Sequence, residues 1–126
     1  MKYDELPVFK AAYDLILDVF KSSQTIKREY RYTLGEELKR EIVKLMMCVY
    51  RANLTVEKEP HIVGAREHIE IVRLQIRLLH DLGQMPIRTM ARMNLNIESI
   101  SKQLAAWHKS VATKNKTKQE EKITQG

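Results

Sequence analysis

Apolar residues in this chain recur three and four positions apart over four separate stretches, and that spacing limits the fold more than any other feature. A step of three or four returns a side chain to the same face of an α-helix, whereas a strand needs a step of two. In the second stretch the row is Leu34, Leu38, Ile42, Leu45, Val49 and Ala52. In the third it is Ile62, Ala65, Ile69, Val72, Ile76 and Leu79, and in the fourth Met90, Met93, Ile97, Ile100, Leu104, Trp107 and Val111. The first stretch, about Pro7 to Ser22, places Phe9, Tyr13, Ile16, Leu17 and Phe20 on one face. Four one-sided helices joined by short connections predict an all-α protein, an antiparallel four-helix bundle.

Helix-breaking residues fall where such a bundle needs them. Pro7, Pro60 and Pro86 stand at the starts of the first, third and fourth stretches, where the missing N–H costs nothing. Gly83 supplies a stop for the third helix, and Thr33-Leu-Gly-Glu36 predicts a capping box at the start of the second. The domain is expected to span residues 1–112, with a fourth helix from Pro86 to Ala112. Residues 113–126 are expected to form a disordered Lys-rich tail, because Ile123 is their single large apolar residue. The third helix carries a second apolar row, Ile71, Leu74, Leu78 and Leu82, which suits either burial on two sides or self-association.

Catalytic chemistry needs a nucleophile beside a base, paired carboxylates in a cleft, or clustered metal ligands. His61, His68, His80 and His108 include no pair at i and i+4, and Glu67-His68 lacks the second histidine of a helical zinc motif. His80, beside Asp81 near a helix end, suits the helix dipole. The methionines at helical spacing read as core filler, and Cys48, the one cysteine, reads as a small core hydrophobe. Trp107 offers a stacking surface but stands on the seam, where burial is its expected role. The expectation is therefore a non-enzyme with no metal and no cofactor. Without an apolar leader or a spanning apolar run of about 20 residues, the chain is expected to be cytoplasmic and to make no membrane contact.

The net charge of +6 divides evenly: residues 109–126 hold five Lys and two Glu, leaving +3 on the body. What matters is arrangement. Arg66, Arg73, Arg77 and His80 fall in one narrow sector of the third helix, interrupted only by Glu70. Arg40, Lys44 and Arg51 form a shorter stripe on the second, and Arg88, Arg92 and Lys102 one on the fourth. Guanidinium groups one or two turns apart can follow a phosphate backbone with salt-sensitive, sequence-tolerant affinity. The candidate nucleic-acid contacts are Arg73 and Arg77, supported by Arg66, Arg40, Lys44, Arg51, Arg88 and Arg92. The competing reading is a solvated surface with local ion pairs, such as Glu36 with Arg40 or Glu70 with Arg73 and Arg77.

The stretches Leu6-Pro-Val-Phe-Lys-Ala-Ala-Tyr-Asp-Leu-Ile-Leu17 and Lys27-Arg-Glu-Tyr-Arg-Tyr-Thr-Leu-Gly-Glu36, then Val72 to Leu82 and Ala105-Ala-Trp107, resemble the accessory variability determinant (Avd) family of diversity-generating retroelements. The Arg-aromatic-Thr-Leu-Gly element is the most specific part. Many relatives have a proline before the basic loop residue, where this chain reads Ile26-Lys27-Arg28. The resemblance implies a homopentameric barrel of four-helix bundles with a basic surface. Its implied partners are the element's reverse transcriptase, template repeat RNA and cDNA, in support of mutagenic cDNA synthesis and retrohoming. Four-helix proteins encoded in intervening sequences of ribosomal RNA genes share much of the pattern. They are the alternative, a structural bundle with no retroelement role.

Overall fold

The computed structural model describes residues 2–125. A 3-10 turn, Tyr3–Glu5, leads into α1 (Pro7–Ser23), and a helical turn, Arg28–Tyr30, runs through a π-helical stretch, Arg31–Gly35, into α2 (Glu36–Leu54). Next come α3 (Glu59–Asp81) and α4 (Ile87–Gln125), with no strand among the described residues. Each helix packs on its predecessor and α4 closes against α1, giving a four-helix bundle around one core. The predicted rows of α2 and α3 are buried from Leu38 to Ala52 and from Ile62 to Leu79. On α4, Met93, Ile97, Ile100 and Leu104 are buried, with Met90 and Trp107 partly so. Leu34 is also only partly buried.

The first helix is turned relative to expectation. Its buried face is Val8, Ala12, Leu15, Val19 and Ser23, while Tyr13, Leu17 and Phe20 are exposed and Phe9 and Ile16 lie at the boundary. Both rows have helical spacing, so periodicity alone could not choose between them. The slimmer row wins because the Ile- and Leu-filled centre leaves room for Ala and Val, not for a line of aromatic rings. The outward Phe20 ring instead carries the ammonium of Lys39, 5.5 Å from its centroid. Tyr3 meets the edges of Phe9 and Tyr50, centroids 5.1 Å away in both cases, and ties the N-terminal turn to the bundle.

Thr33 and Glu36 do not form the expected capping box. The helical path is already running through Arg31–Gly35, so Thr33 Oγ1 donates back to the carbonyls of Glu29 and Tyr30, at 3.5 and 3.4 Å, while Glu36 pairs with Lys39 at 2.7 Å. Arg31 gives the Arg-aromatic-Thr-Leu-Gly element a structural role. Its Nε and Nη2 donate to the Ile26 carbonyl at 3.2 and 3.0 Å, and Nη2 reaches the Gln24 carbonyl at 3.2 Å, satisfying acceptors just beyond α1. Gln84 joins the two connections at this end, its Oε1 accepting the Lys27 N–H at 2.8 Å. Gly83, at φ 73°, ends α3 in a Schellman turn: its N–H donates to His80 and that of Gln84 to Leu79. His80 Nδ1 bonds the Met85 carbonyl at 2.8 Å, fixing the turn.

Residues 113–125, expected to be structureless, continue α4 as helix. No Gly or Pro interrupts the run, its Lys, Gln and Glu residues are good helix formers, and Asn115 Nδ2 donates to Glu59 Oε2 at 3.2 Å. At 39 residues α4 is about 58 Å long at 1.5 Å per residue, so it overhangs the bundle. Every residue from 113 to 124 is exposed. The second row of α3 is likewise on the surface, Leu74 being 69% exposed. Replacing Ile76, fully buried, by Ala should therefore lower unfolding free energy by about 2–5 kcal/mol. Leu95→Ala, at a side chain 76% exposed, should stay within about 0.5 kcal/mol. Urea denaturation of the two variants checks this; equal losses would mean that the core is misplaced.

Candidate nucleic-acid interface

Four of the eight basic candidates lie along the seams where α4 meets its neighbours. Arg73 is the most tightly held. Its Nη1 donates to Glu98 Oε1 on α4, its Nη2 to Glu70 Oε1 at 3.3 Å, and Glu70 Oε2 stands 3.2 Å from Nε. The hydrogen bond with Glu98 raises the guanidinium's affinity for its proton and, in return, holds the Glu98 carboxyl below the usual carboxylate range. Arg77, one turn on, is 76% exposed and only 3.6 Å from Asp81, an ion pair that solvent screens heavily. The two arginines border a cleft of about 600 Å³ between α3 and α4, together with Leu74, His80, Met90 and Asn94. The Asn94 side-chain oxygen is buried there without a hydrogen-bond partner.

Arg66 lies along the same seam, its Nη1 2.8 Å from His108 Nδ1, and His108 Nε2 is 3.2 Å from Glu59 Oε1. Arg92 clasps Asp18 of α1 through Nε and Nη2 at 2.9 and 2.6 Å, a two-pronged pair that raises its proton affinity. On α2, Arg40 bonds Glu37 at 2.7 Å, and Lys44 is 3.9 Å from Glu41. These two flank a groove that also includes Phe20 and Val43, away from the α3–α4 cleft. Arg51 and Arg88 are exposed and make no ion pair among the described residues. The candidates thus occupy several surfaces, with Arg73 and Arg77 the pair brought together. Local pairing of the kind expected of a solvated surface is real for Arg73 and Arg40, but Arg40 chooses Glu37 over Glu36.

Three polar anchors escaped the sequence reading. Glu41, only 8% exposed, sits on the apolar face of α2 between Leu38 and Leu45 and bonds His68 Nδ1 on α3. An acid inside an apolar row calls for a buried partner, and that was the available signal. Lys58 curls back so that its ammonium donates to the carbonyls of Ala52, Asn53 and Thr55 at 2.9, 3.3 and 2.9 Å, closing the C-terminal end of α2. Gln84 has no sequence signal, because its partner is an amide 57 positions away. Cys48 is partly buried, which pushes its thiol pKa up, and its Sγ stands where a Cβ on Gly64 would come within 3.3 Å.

Among the described residues no three His, Cys, Asp or Glu side chains gather closely enough to hold a metal ion. No helix among them is long and apolar enough to cross a membrane. A family model described as bAvd-like matches residues 8–111, a span that takes in most of α1, all of α2 and α3, and α4 as far as Val111. No curated protein matches the chain.

The Arg73–Glu98 pair carries a pH signature. A carboxyl whose pKa is depressed on folding stabilises the fold above its unfolded value, and that contribution disappears as pH falls through the folded value. Thermal melts of Glu98→Gln should lie below wild type at pH 7 and converge with it well under pH 4.5, the ordinary carboxylate value. A gap that stays constant to pH 2 would show that Glu98 acts through packing.

Proposed function

Since the chain belongs to the bAvd-like family, we propose that it is a non-catalytic accessory protein of a diversity-generating retroelement. In this reading it binds the template repeat RNA, its cDNA and the element's reverse transcriptase, and supports mutagenic cDNA synthesis and retrohoming in the cytoplasm. The family match across residues 8–111 carries the proposal. The exposed guanidinium of Arg77 and the unpaired Arg51 and Arg88 support it, since these charges remain available to phosphate. The apolar row of Ile71, Leu74, Leu78 and Leu82, exposed along α3, supports self-association, and the family resemblance implies that the assembly is a homopentamer, which would repeat the basic surfaces around a ring.

Co-purification from cells that carry the native locus, followed by sequencing of bound RNA, tests the reading. A reverse transcriptase and its template RNA should be recovered. A protein that recovers neither, encoded within a ribosomal RNA gene, would be a structural bundle of the intervening-sequence type.

Replacing Arg73 and Arg77 by Ala should weaken nucleic-acid binding broadly across sequences while helicity is kept. Arg77→Ala alone should produce most of the loss, because Arg73 is already held by two carboxylates. Each lost phosphate contact flattens the plot of log affinity against log salt by up to about 0.9 for a duplex or about 0.7 for a single strand. An unchanged slope in the double variant would exclude the α3–α4 cleft as a contact. Leu74→Asp should reduce the assembly seen by native mass spectrometry to monomer; an unaltered oligomer would place the interface elsewhere.

A further inference from the structure

The inner row of α4 changes chemistry where the helix leaves the bundle. Met93, Ile97, Ile100 and Leu104 are buried, Trp107 is partly covered, and Val111 closes a small cluster with Ala52 and Ile62. The next positions on the same face are Lys114 and Lys118, with Lys122 one turn further. These lysines occupy seam positions over the connection between α2 and α3, where that short connection gives them no helix to pack against. With Val56, Lys58, Trp107 and Val111, Lys114 and Lys118 line a groove of about 440 Å³ in which no carboxylate takes part, while Lys122 lies in an adjoining depression with Glu57 and Glu59. The α3–α4 cleft differs, since Glu70 and Asp81 stand among its cations.

The groove combines three elements. Lys114 and Lys118 are exposed and form no ion pair among the described residues, while the Lys58 ammonium is fixed by its three carbonyl bonds. Trp107 contributes an aromatic surface whose indole N–H has no hydrogen-bond partner among the described residues. Val56, 89% exposed, adds an apolar wall. Cations without acids, next to an aromatic ring, suit a strand whose bases are free to stack. The volume is that of a small-molecule site, enough for a nucleotide and too small for a duplex.

We propose that this end groove holds a single-stranded segment of nucleic acid, one base against Trp107 and Val56 and the flanking phosphates on Lys114 and Lys118. The proposal rests on the nucleic-acid reading above and adds to it a site, a strandedness and a mode of contact. It also gives the helical overhang a function: a disordered tail would spread its lysines, whereas the helix keeps Lys114 and Lys118 on the face of Trp107.

Trp107 is the only tryptophan, so its fluorescence reports on the groove directly. The full chain is titrated with a twelve-nucleotide oligothymidylate, a duplex of equal length and a polyglutamate peptide. The single strand should quench Trp107 and bind more tightly than it does to Lys114→Gln/Lys118→Gln, by roughly tenfold, with the salt slope flattened by up to about 1.4 for two lost contacts. A control that removes the same charge from the opposite face, Lys109→Gln/Lys116→Gln, should keep the quenching. All four lysines are exposed, and circular dichroism verifies the helix in each variant. Binding without quenching, or equal losses in the two double variants, would overturn the groove while leaving the broader nucleic-acid reading intact. Deeper quenching by polyglutamate than by the oligonucleotide would reassign the groove to an acidic protein segment. Absence of any oligonucleotide binding would remove both this inference and the nucleic-acid reading beneath it.

Discussion

The buried row of α3 is the constraint on which the other elements depend. From Ile62 to Leu79 its inward side chains are sealed on one flank by α2 and on the other by α4, so α3 acts as the shared wall of the bundle. Each large aliphatic side chain buried in this way contributes about 1.5–3 kcal/mol from water exclusion. A row of them fixes the rotation of α3 about its axis. That rotation leaves the row Ile71, Leu74, Leu78 and Leu82 facing outward and sets Arg73 and Arg77 along the α4 seam. Core packing thus determines which basic side chains are free and which meet carboxylates from the neighbouring helix.

Most of the architecture was legible in the sequence because in three helices one apolar row is long enough to define the buried face, the main row of α3 outrunning its shorter second row. The buried side of α2, the six-residue row of α3 and the Gly83 stop all follow from spacing and backbone chemistry. The first helix was not legible in the same way. It has two rows at helical spacing, and choosing between the aromatic row and that of Val8, Ala12, Leu15 and Val19 depends on the room left by the other helices. The capping box failed for a related reason. A start signal at Thr33 assumes that the chain arrives extended, whereas here it arrives already helical through Arg31–Gly35. Residues 113–125 show the limit of composition: few apolar groups argue against burial, but an uninterrupted run of good helix formers attached to a packed helix can still extend it.

The basic surface was legible as a set of residues but not as a geometry. Charge spacing along α3 grouped Arg66, Arg73 and Arg77, yet only a three-dimensional arrangement reveals that Glu98 of α4 reaches Arg73 or that Asp18 of α1 takes Arg92. Conversely, the groove at the bundle end joins Val56 of the α2–α3 connection with Trp107 and Lys114 of α4, positions far apart in the chain. Both surfaces derive from the same bundle. The α3–α4 cleft presents guanidinium groups tempered by acids, and the end groove is lined by ammonium groups with no carboxylate among them. Under the proposed function, the two surfaces would meet extended nucleic acid at separate places on the bundle.

Photocrosslinking tests that account most directly. The full chain would be irradiated with a bromouridine-substituted single-stranded RNA and the adducts located by peptide mass spectrometry. Adducts concentrated on the peptide containing Arg73 and Arg77 and on the segment from Trp107 to Lys118 are the predicted result. Adducts spread over the whole surface in proportion to exposure, or none at all, would contradict it.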